Sequence, residues 1–202
     1  MKKRKMTRKN VKQNHTLSEF VSDAWDYLKA SRGYVLSSLL IFVIAGLFGF
    51  FASEHLSFLD SMIAEIFAKT ENLSGLSLTA YIFYNNVMSS FFGLFMGTFF
   101  GVVSFFNVLL NGTVVGYVLA LAAPTHGLGI AWRLVPHGIF ELPAIFIATG
   151  LGMKLGMSFF HKDWKMIFKE RFTHSVKVFF VIIVPLLVAA AIIEGLLITF
   201  SA

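Results

Sequence analysis

Long apolar stretches separate the charged residues of this chain. No charged residue occurs in residues 33–53 or in residues 72–132, and Glu194 is the only one in residues 178–202. A bilayer core requires about 20 apolar residues for each helical crossing. Membrane β-strands would alternate polar and apolar residues, and these stretches do not. The pattern therefore predicts an all-α, polytopic membrane protein.

The lengths of the apolar stretches predict about five transmembrane helices. The longest stretch contains residues 80–121, which suffice for two crossings joined by a tight turn near residues 101–107. The predicted spans are residues 34–53, 80–100, 104–121, 134–157 and 177–200. We therefore predict two regions. Residues 1–33 form a cytoplasmic basic tail with an amphipathic helix, and residues 34–202 form a five-helix membrane domain.

The basic residues predict the orientation of the chain in the membrane. All but Lys69 and Arg133 of the 17 Lys and Arg residues lie before residue 34 or in residues 154–177. Lys and Arg concentrate in cytoplasmic segments, so both segments lie on that side only if residues 80–121 make an even number of crossings. Two full helices and a re-entrant pair both satisfy this condition. We predict a multi-pass protein of the cell membrane with a cytoplasmic N-terminus and an external C-terminus.

Amphipathic segments lie outside the predicted spans. Apolar residues recur at helical spacing in residues 20–28 and again within a cytoplasmic basic loop at residues 158–175. These two segments predict short interfacial helices that rest on anionic lipids at the cytoplasmic face of the bilayer. A third amphipathic helix, at residues 56–70, is external, and it either caps the bundle or binds a partner. The basic N-terminal run has no interleaved aromatic residues for base stacking, so we predict no nucleic-acid partner.

The composition supports a membrane protein and narrows its chemistry. Hydrophobic residues make up 56% of the chain and charged residues only 14%, whereas about a quarter of the residues in soluble domains are charged. Cysteine is absent, which excludes disulfides, thiolate metal sites and iron–sulfur clusters. No His-Glu-x-x-His or Gly-x-Ser-x-Gly motif occurs. We predict a protein that is not an enzyme, with no catalytic residues, no cofactor and no metal.

Glycines at four-residue intervals predict helix-packing faces. Two such sets, one on each of the second and third spans, comprise Gly93, Gly97, Gly101, Gly112 and Gly116. Small residues allow the close backbone approach on which helix association in lipid depends. We predict that these faces pack the second and third spans together within the chain. Homodimerisation through the face on the second span is the alternative.

Polar side chains inside the predicted spans are candidates for function, because such groups are costly in lipid. Asn86, Glu141 and Glu194 each lie about two turns from the outer end of their span. His137 precedes Glu141 by one helical turn and shares its face. The predicted intramembrane polar cluster consists of Asn85, Asn86, Asn111, His137, Glu141 and Glu194.

Three hypotheses for this polar cluster stay open. In the first, the amides and a neutral carboxylic acid hydrogen-bond the helices to one another and are purely structural. In the second, the cluster binds a proton, an ion or a small solute in a transporter or channel-like module. In the third, His137 and Glu141 supply two ligands to an intramembrane metalloenzyme, although a zinc site normally has three or four protein ligands.

A combination of short motifs resembles the stage II sporulation protein M family. The resemblance extends over residues 80–154. The motifs are Asn85-Asn86, Gly97 with Gly101, Asn111-Gly112-x-x-x-Gly116, and Pro136-His137-Gly138-x-x-Glu141-Leu142-x-Ala144. This resemblance implies a multi-span membrane protein without an established catalytic activity. In spore formers, members of the family act as membrane scaffolds that hold cell-wall hydrolases of the sporulation D and P types during engulfment.

The resemblance and the missing catalytic motifs together predict a non-enzymatic scaffold or assembly partner for membrane or envelope complexes. Other membrane or envelope proteins are the expected partners, and the protein is expected to form a homo-oligomer or a hetero-complex. The alternative is a transporter or channel-like module that uses the intramembrane cluster of Asn, His and Glu side chains in the outer half of the bilayer.

Overall fold

Helices account for nearly all of the structure. The computed structural model describes residues 17–70, 73, 75–127 and 131–201, so most of the basic tail lies outside the described residues. The α-helices are α1 (Leu17–Ala30), α2 (Arg32–Phe51), α3 (Leu59–Thr70), α4 (Gly75–Phe95), α5 (Val102–His126), α6 (Ala131–Gly156), α7 (Trp164–Val178) and α8 (Val184–Ser201). The described residues contain no β-strand. The prediction of an all-α fold is confirmed.

Four helical segments are long and apolar enough to cross a membrane. They are Arg32–Phe51, Val102–Pro124, Gly138–Phe160 and Trp164–Leu196. The remaining predicted span corresponds to α4, which is 21 residues long but less apolar because it contains Asn85 and Asn86. Helix α4 nevertheless packs along α6 and α8 inside the bundle. The prediction of a polytopic membrane protein is confirmed, and four of its helices have the composition of a typical span.

Helix α6 forms the centre of the bundle. It contacts α2, α4, α5 and α8. Its Ala144, Ala148 and Leu151 are fully buried, and the two alanines let the neighbouring helices approach closely. The most extensive helix pair is α2 with α5. The bundle is therefore an α2–α5 pair and an α4–α8 pair assembled around α6.

A tight turn joins α4 to α5 at one end of α6. Phe100 and Gly101 have φ values of 56° and 75°, in the left-handed region that glycine adopts without the steric cost of a Cβ atom. The Ser104 hydroxyl closes the turn by donating a hydrogen bond of 2.6 Å to the carbonyl of Gly93. Gly101 lies against Met153 near the end of α6. Helices α4 and α5 therefore each extend along α6.

Helices α1 and α7 pack together at the end of the bundle that carries the α4–α5 turn, which we call the basic end. Lys177 Nζ lies 2.9 Å from Asp23 Oδ2, and the rings of Tyr27 and His174 stack with their centroids 5.0 Å apart. Most of the segment predicted as a basic loop is helical, because α7 begins at Trp164. The basic end thus gathers the two segments that the charge pattern predicts to be cytoplasmic.

A π-helical turn, Phe179–Ile183, links α7 and α8 into one continuous helix. The N–H of Val184 bonds to the carbonyl of Phe179, five residues earlier. Pro185 follows this turn; a proline has no N–H, and its ring collides with the carbonyl four residues earlier in a regular α-helix. The wider π turn removes that collision. It lets the helix continue from the basic end into the bundle despite the proline.

Candidate functional site

The structure brings together three of the predicted cluster residues, one from each of three helices. The side-chain amide of Asn86 on α4 lies within hydrogen-bonding reach of the carboxyl group of Glu141 on α6. Glu194 on α8 lies close enough to Glu141 for their charges to interact. Asn86 is buried, and both carboxylic residues are half-buried. These polar groups of α4, α6 and α8 therefore meet where the three helices pack.

The other predicted members lie elsewhere or outside the described side chains. Asn85 is exposed on the surface of α4. Asn111 bonds within α5, where its Nδ2 lies 2.8 Å from the carbonyl oxygen of Asn107 and 3.4 Å from the Asn107 side-chain oxygen. His137 belongs to α6, but its side chain lies outside the described residues. The described contacts thus reduce the cluster to Asn86, Glu141 and Glu194.

The geometry of this trio suits an inter-helix clasp. An unpaired amide or carboxyl in a lipid-surrounded bundle is costly, and a hydrogen bond between two helices removes that cost for both partners. A groove of about 490 Å³ lies between α4 and α8, lined by apolar side chains such as Leu76, Phe83 and Ile192, and none of the three polar residues lines it. Chemically, the arrangement of the three residues provides an acceptor carboxyl, a donor amide and a second carboxyl.

No group of three or more His, Asp or Glu side chains in the described part of the chain is placed to hold a metal ion. Glu141 has one carboxylic neighbour, Glu194, and a tetrahedral zinc site takes three or four protein ligands.

The glycine faces are used inside the chain, but not against each other. A Cβ atom at Gly97 would overlap the backbone of Gly152 on α6, and one at Gly116 would overlap the backbone of Gly46 on α2. The prediction that the second and third spans pack through these faces is therefore wrong in its choice of partner. The α4 face packs on α6 and the α5 face packs on α2. Because α6 occupies the face around Gly97, that face is not free for homodimerisation.

The basic end contains a set of buried contacts that the sequence reading did not identify. Lys154 Nζ donates to Ser31 Oγ at 2.7 Å and lies 3.9 Å from the centre of the Tyr27 ring. Arg171 Nη1 donates to the carbonyl of Lys154 at 2.6 Å. Burial raises the pKa of the Tyr27 phenol above its ordinary value, more than the nearby Ser175 and Arg171 lower it. These contacts fix α1, α6 and α7 together. The signal for them in the sequence is Lys154, a cation in the last turn of an apolar helix.

Helix α3 is fixed to the opposite end of the bundle. Leu56, Leu59 and Tyr117 form a small buried cluster, and the Tyr117 hydroxyl donates a 2.6 Å hydrogen bond to Asp60 Oδ1. Met62 and Ile63 pack against this cluster, whereas Ala64, Glu65, Ala68 and Lys69 are exposed. There the Lys69 ammonium hydrogen-bonds Glu65 at 2.7 Å and lowers the pKa of that carboxyl. Helix α3 therefore has one anchored face and one exposed face.

Comparison with known proteins points to one family. The family model described as Stage II sporulation protein M matches residues 38–197, from α2 to α8. A protein of Methanocaldococcus jannaschii, described as uncharacterized, is 26% identical over 123 residues, which are 60% of this chain and 67% of the relative. No solved structure matches the chain at a significant level.

Proposed function

This chain belongs to the Stage II sporulation protein M family, and we propose that it acts as a non-enzymatic scaffold or assembly partner for membrane or envelope complexes. The proposal rests on one structural observation, the anchored helix α3 at the end of the bundle opposite the basic end. A docking helix has to be held in a fixed position before a partner arrives, because an already ordered surface loses less entropy on binding. The Tyr117–Asp60 hydrogen bond and the buried Leu59 provide that position.

The exposed face of α3 combines two small residues with a charged pair, and we propose it as a docking surface for another envelope protein. Ala64 and Ala68 lie one turn apart and are exposed, so a partner helix or strand can approach closely there. The Glu65–Lys69 pair beside them is exposed and therefore contributes little to the stability of α3 itself. Such rim charges act mainly on the specificity and rate of association. We refer to Ala64, Glu65, Ala68 and Lys69 as the α3 face.

Capture from native membranes tests the scaffold function. Tagged protein should recover the same envelope partner in repeated preparations, and the double variant Ala64→Arg/Ala68→Arg should lose it. The two arginines place bulk and positive charge on the α3 face without touching the buried Leu59 side. Mass spectrometry of the captured material, normalised to the bait, gives the measurement.

The control for this capture is Ser22→Arg, which adds an arginine to an exposed position on α1 at the basic end. It should retain the partner. A bait that is recovered alone from membranes, or a partner that survives the α3 double variant, would contradict the scaffold proposal.

We further propose that the basic end is cytoplasmic, so that the N-terminus lies inside and α3 and the C-terminus lie outside. The accumulation of Lys and Arg at the basic end supports this orientation. The chain has no cysteine, so a thiol reagent labels only the cysteine introduced in a single-cysteine variant. A membrane-impermeant maleimide should label Ala64→Cys in intact cells and should label Ser22→Cys only after permeabilisation. The reverse labelling pattern would refute the orientation.

A second candidate function is a transporter or channel-like module that uses the intramembrane polar cluster. The observation that favours it is the approach of Glu194 to Glu141, because two neighbouring carboxyl groups can share or pass a proton. In reconstituted vesicles, Glu141→Gln and His137→Ala should then abolish flux while the protein remains folded. Unchanged flux in these folded variants would contradict a transport role for the cluster.

A further inference from the structure

An apolar groove lies at the basic end, where α1 turns into α2. Its volume is about 420 Å³, within the range of small-molecule sites. Leu28, Val35 and Ile147 form its floor, and Trp25 and Leu36 form its sides. Trp25 is 52% exposed and Leu36 is 60% exposed, so the groove opens toward the surroundings of the bundle. On a membrane helix, those surroundings are lipid.

Two cations lie at the same groove. Lys29 and Arg32 line it together with the apolar residues. Lys29 Nζ lies 3.3 Å from Asp26 Oδ1, but this pair is exposed and therefore weak. Arg32 makes no ion pair with another residue of the described chain. The groove therefore combines an apolar interior with two cationic side chains, and one of them, Arg32, has no acidic partner among the described residues.

The position of Arg32 determines the depth of these charges. It is the first residue of α2, and no further charge follows until Glu54. A cation at the last turn of a membrane span lies at the level of the lipid headgroups. Trp25, an aromatic residue typical of that interface, lies at the same groove. A ligand that fits has a negative charge at headgroup depth and an apolar chain beneath it.

We propose that this groove is a discrete binding site for one anionic phospholipid. An acyl chain lies along Leu28, Val35 and Ile147, and the phosphate group lies between Lys29 and Arg32. This differs from general attraction to an anionic leaflet, because the site has a defined apolar floor and two named cations. Since α1 and α2 both contribute to the site, the bound lipid also fastens α1 to the bundle.

Native mass spectrometry of the full chain in detergent provides the first test. Phosphatidylglycerol and phosphatidylcholine with identical acyl chains are the probes. The protein should retain one phosphatidylglycerol in preference to phosphatidylcholine. The variant Lys29→Gln/Arg32→Gln should weaken this retention by about fivefold for each cation removed. Both positions are exposed, so an unchanged circular dichroism spectrum and elution volume will verify that the variant folds.

The matched control is Lys162→Gln/Lys165→Gln, which removes two exposed cations from the same end of the bundle but not from the groove. It should bind phosphatidylglycerol as the unmodified protein does. An equal loss in both double variants would reduce the effect to general leaflet attraction and overturn the discrete site. If neither double variant lost phosphatidylglycerol binding, the discrete site would also be overturned.

Tryptophan quenching locates the lipid independently of affinity. The chain has three tryptophans, and Trp132→Phe/Trp164→Phe leaves only Trp25, at the groove. Phosphatidylglycerol with brominated acyl chains should quench Trp25 more strongly than brominated phosphatidylcholine, and Lys29→Gln/Arg32→Gln should abolish the difference. Equal quenching by the two lipids would show that Trp25 contacts only bulk lipid, and the proposal would fail.

Discussion

Gly116→Val should separate α2 from α5 and should lower the free energy of unfolding by about 3 kcal/mol, the upper end of the cost of overpacking a core. A Cβ atom at Gly116 would overlap the backbone carbonyl of Gly46 and approach the backbone nitrogen of Phe50 at 2.9 Å. Both contacts are with backbone atoms, which cannot change rotamer to make room. Because α2 and α5 form the most extensive helix pair, their separation should disrupt the whole bundle. The measurement is the melting temperature in detergent, determined by size-exclusion chromatography of samples heated to increasing temperatures.

The control for this substitution is Gly33→Val in α2. No atom outside the local helix lies within 4 Å of a Cβ at that position. The same change in side chain therefore occurs there without a packing clash, and the melting temperature should change little. If Gly116→Val and Gly33→Val unfolded at the same temperature, α2 and α5 would not approach as closely as the structure indicates.

The sequence predicts well which segments are helices, because the length of each apolar stretch and the charged residues at its ends indicate a span. Helix α2 extends over Arg32–Phe51 where residues 34–53 are predicted. The prediction is poorer for α4, which extends over Gly75–Phe95 rather than residues 80–100. The long charge-free stretch around α4 gives no marker for the point at which the chain reverses. The marker in the structure is the positive φ of Gly101, and a glycine in sequence does not reveal whether it serves a turn or a packing face.

Partner helices are harder to predict than helix faces. The four-residue spacing of Gly93 and Gly97 identifies a helix face that a neighbouring helix can approach closely. Close packing also requires small residues on the facing surface of that neighbouring helix. The second surface is Gly152 and Thr149 of α6, which belong to a helix far away in sequence. The nearest glycine-rich helix along the chain, α5, uses Gly116 against α2 instead. Spacing therefore defines a face, whereas the choice of partner depends on the topology of the whole bundle.

For the polar site as well, the sequence predicts one structural property of each residue and leaves another undetermined. Counting residues from the end of a span gives the depth of a side chain in the membrane, and the three residues Asn86, Glu141 and Glu194, which have matched predicted depths, lie near one another. Depth does not give rotation about the helix axis, so Asn85, at the same depth, is exposed on another face. Asn111 bonds within its own helix, which is an option that i, i+4 spacing with Asn107 provides.

Asn86→Leu should destabilise the protein by about 1–2 kcal/mol, and Asn85→Leu should be neutral or stabilising. Leucine has the same branched arrangement of four side-chain heavy atoms as asparagine and is no smaller, so the first substitution removes the polar contact with Glu141 without leaving a cavity. The Glu141 carboxyl is then left unpaired where the helices pack, and an unpaired buried group costs about 1–3 kcal/mol. Asn85 is exposed on the same helix, where a leucine suits a lipid environment. Unfolding in detergent or bicelles measures both variants.

A double-mutant cycle separates the Asn86–Glu141 hydrogen bond from other effects of the two substitutions. The single variants Asn86→Leu and Glu141→Leu should each cost stability, and the double variant should cost less than their sum. Inter-helix hydrogen bonds in membrane proteins couple by about 0.6 kcal/mol on average and up to about 1.7 kcal/mol, so a coupling in that range is expected. Glu141→Gln should keep most of the stability, because the glutamine oxygen accepts the same bond from Asn86. A coupling of zero would show that the two side chains stabilise the helices separately, and the clasp would then not exist.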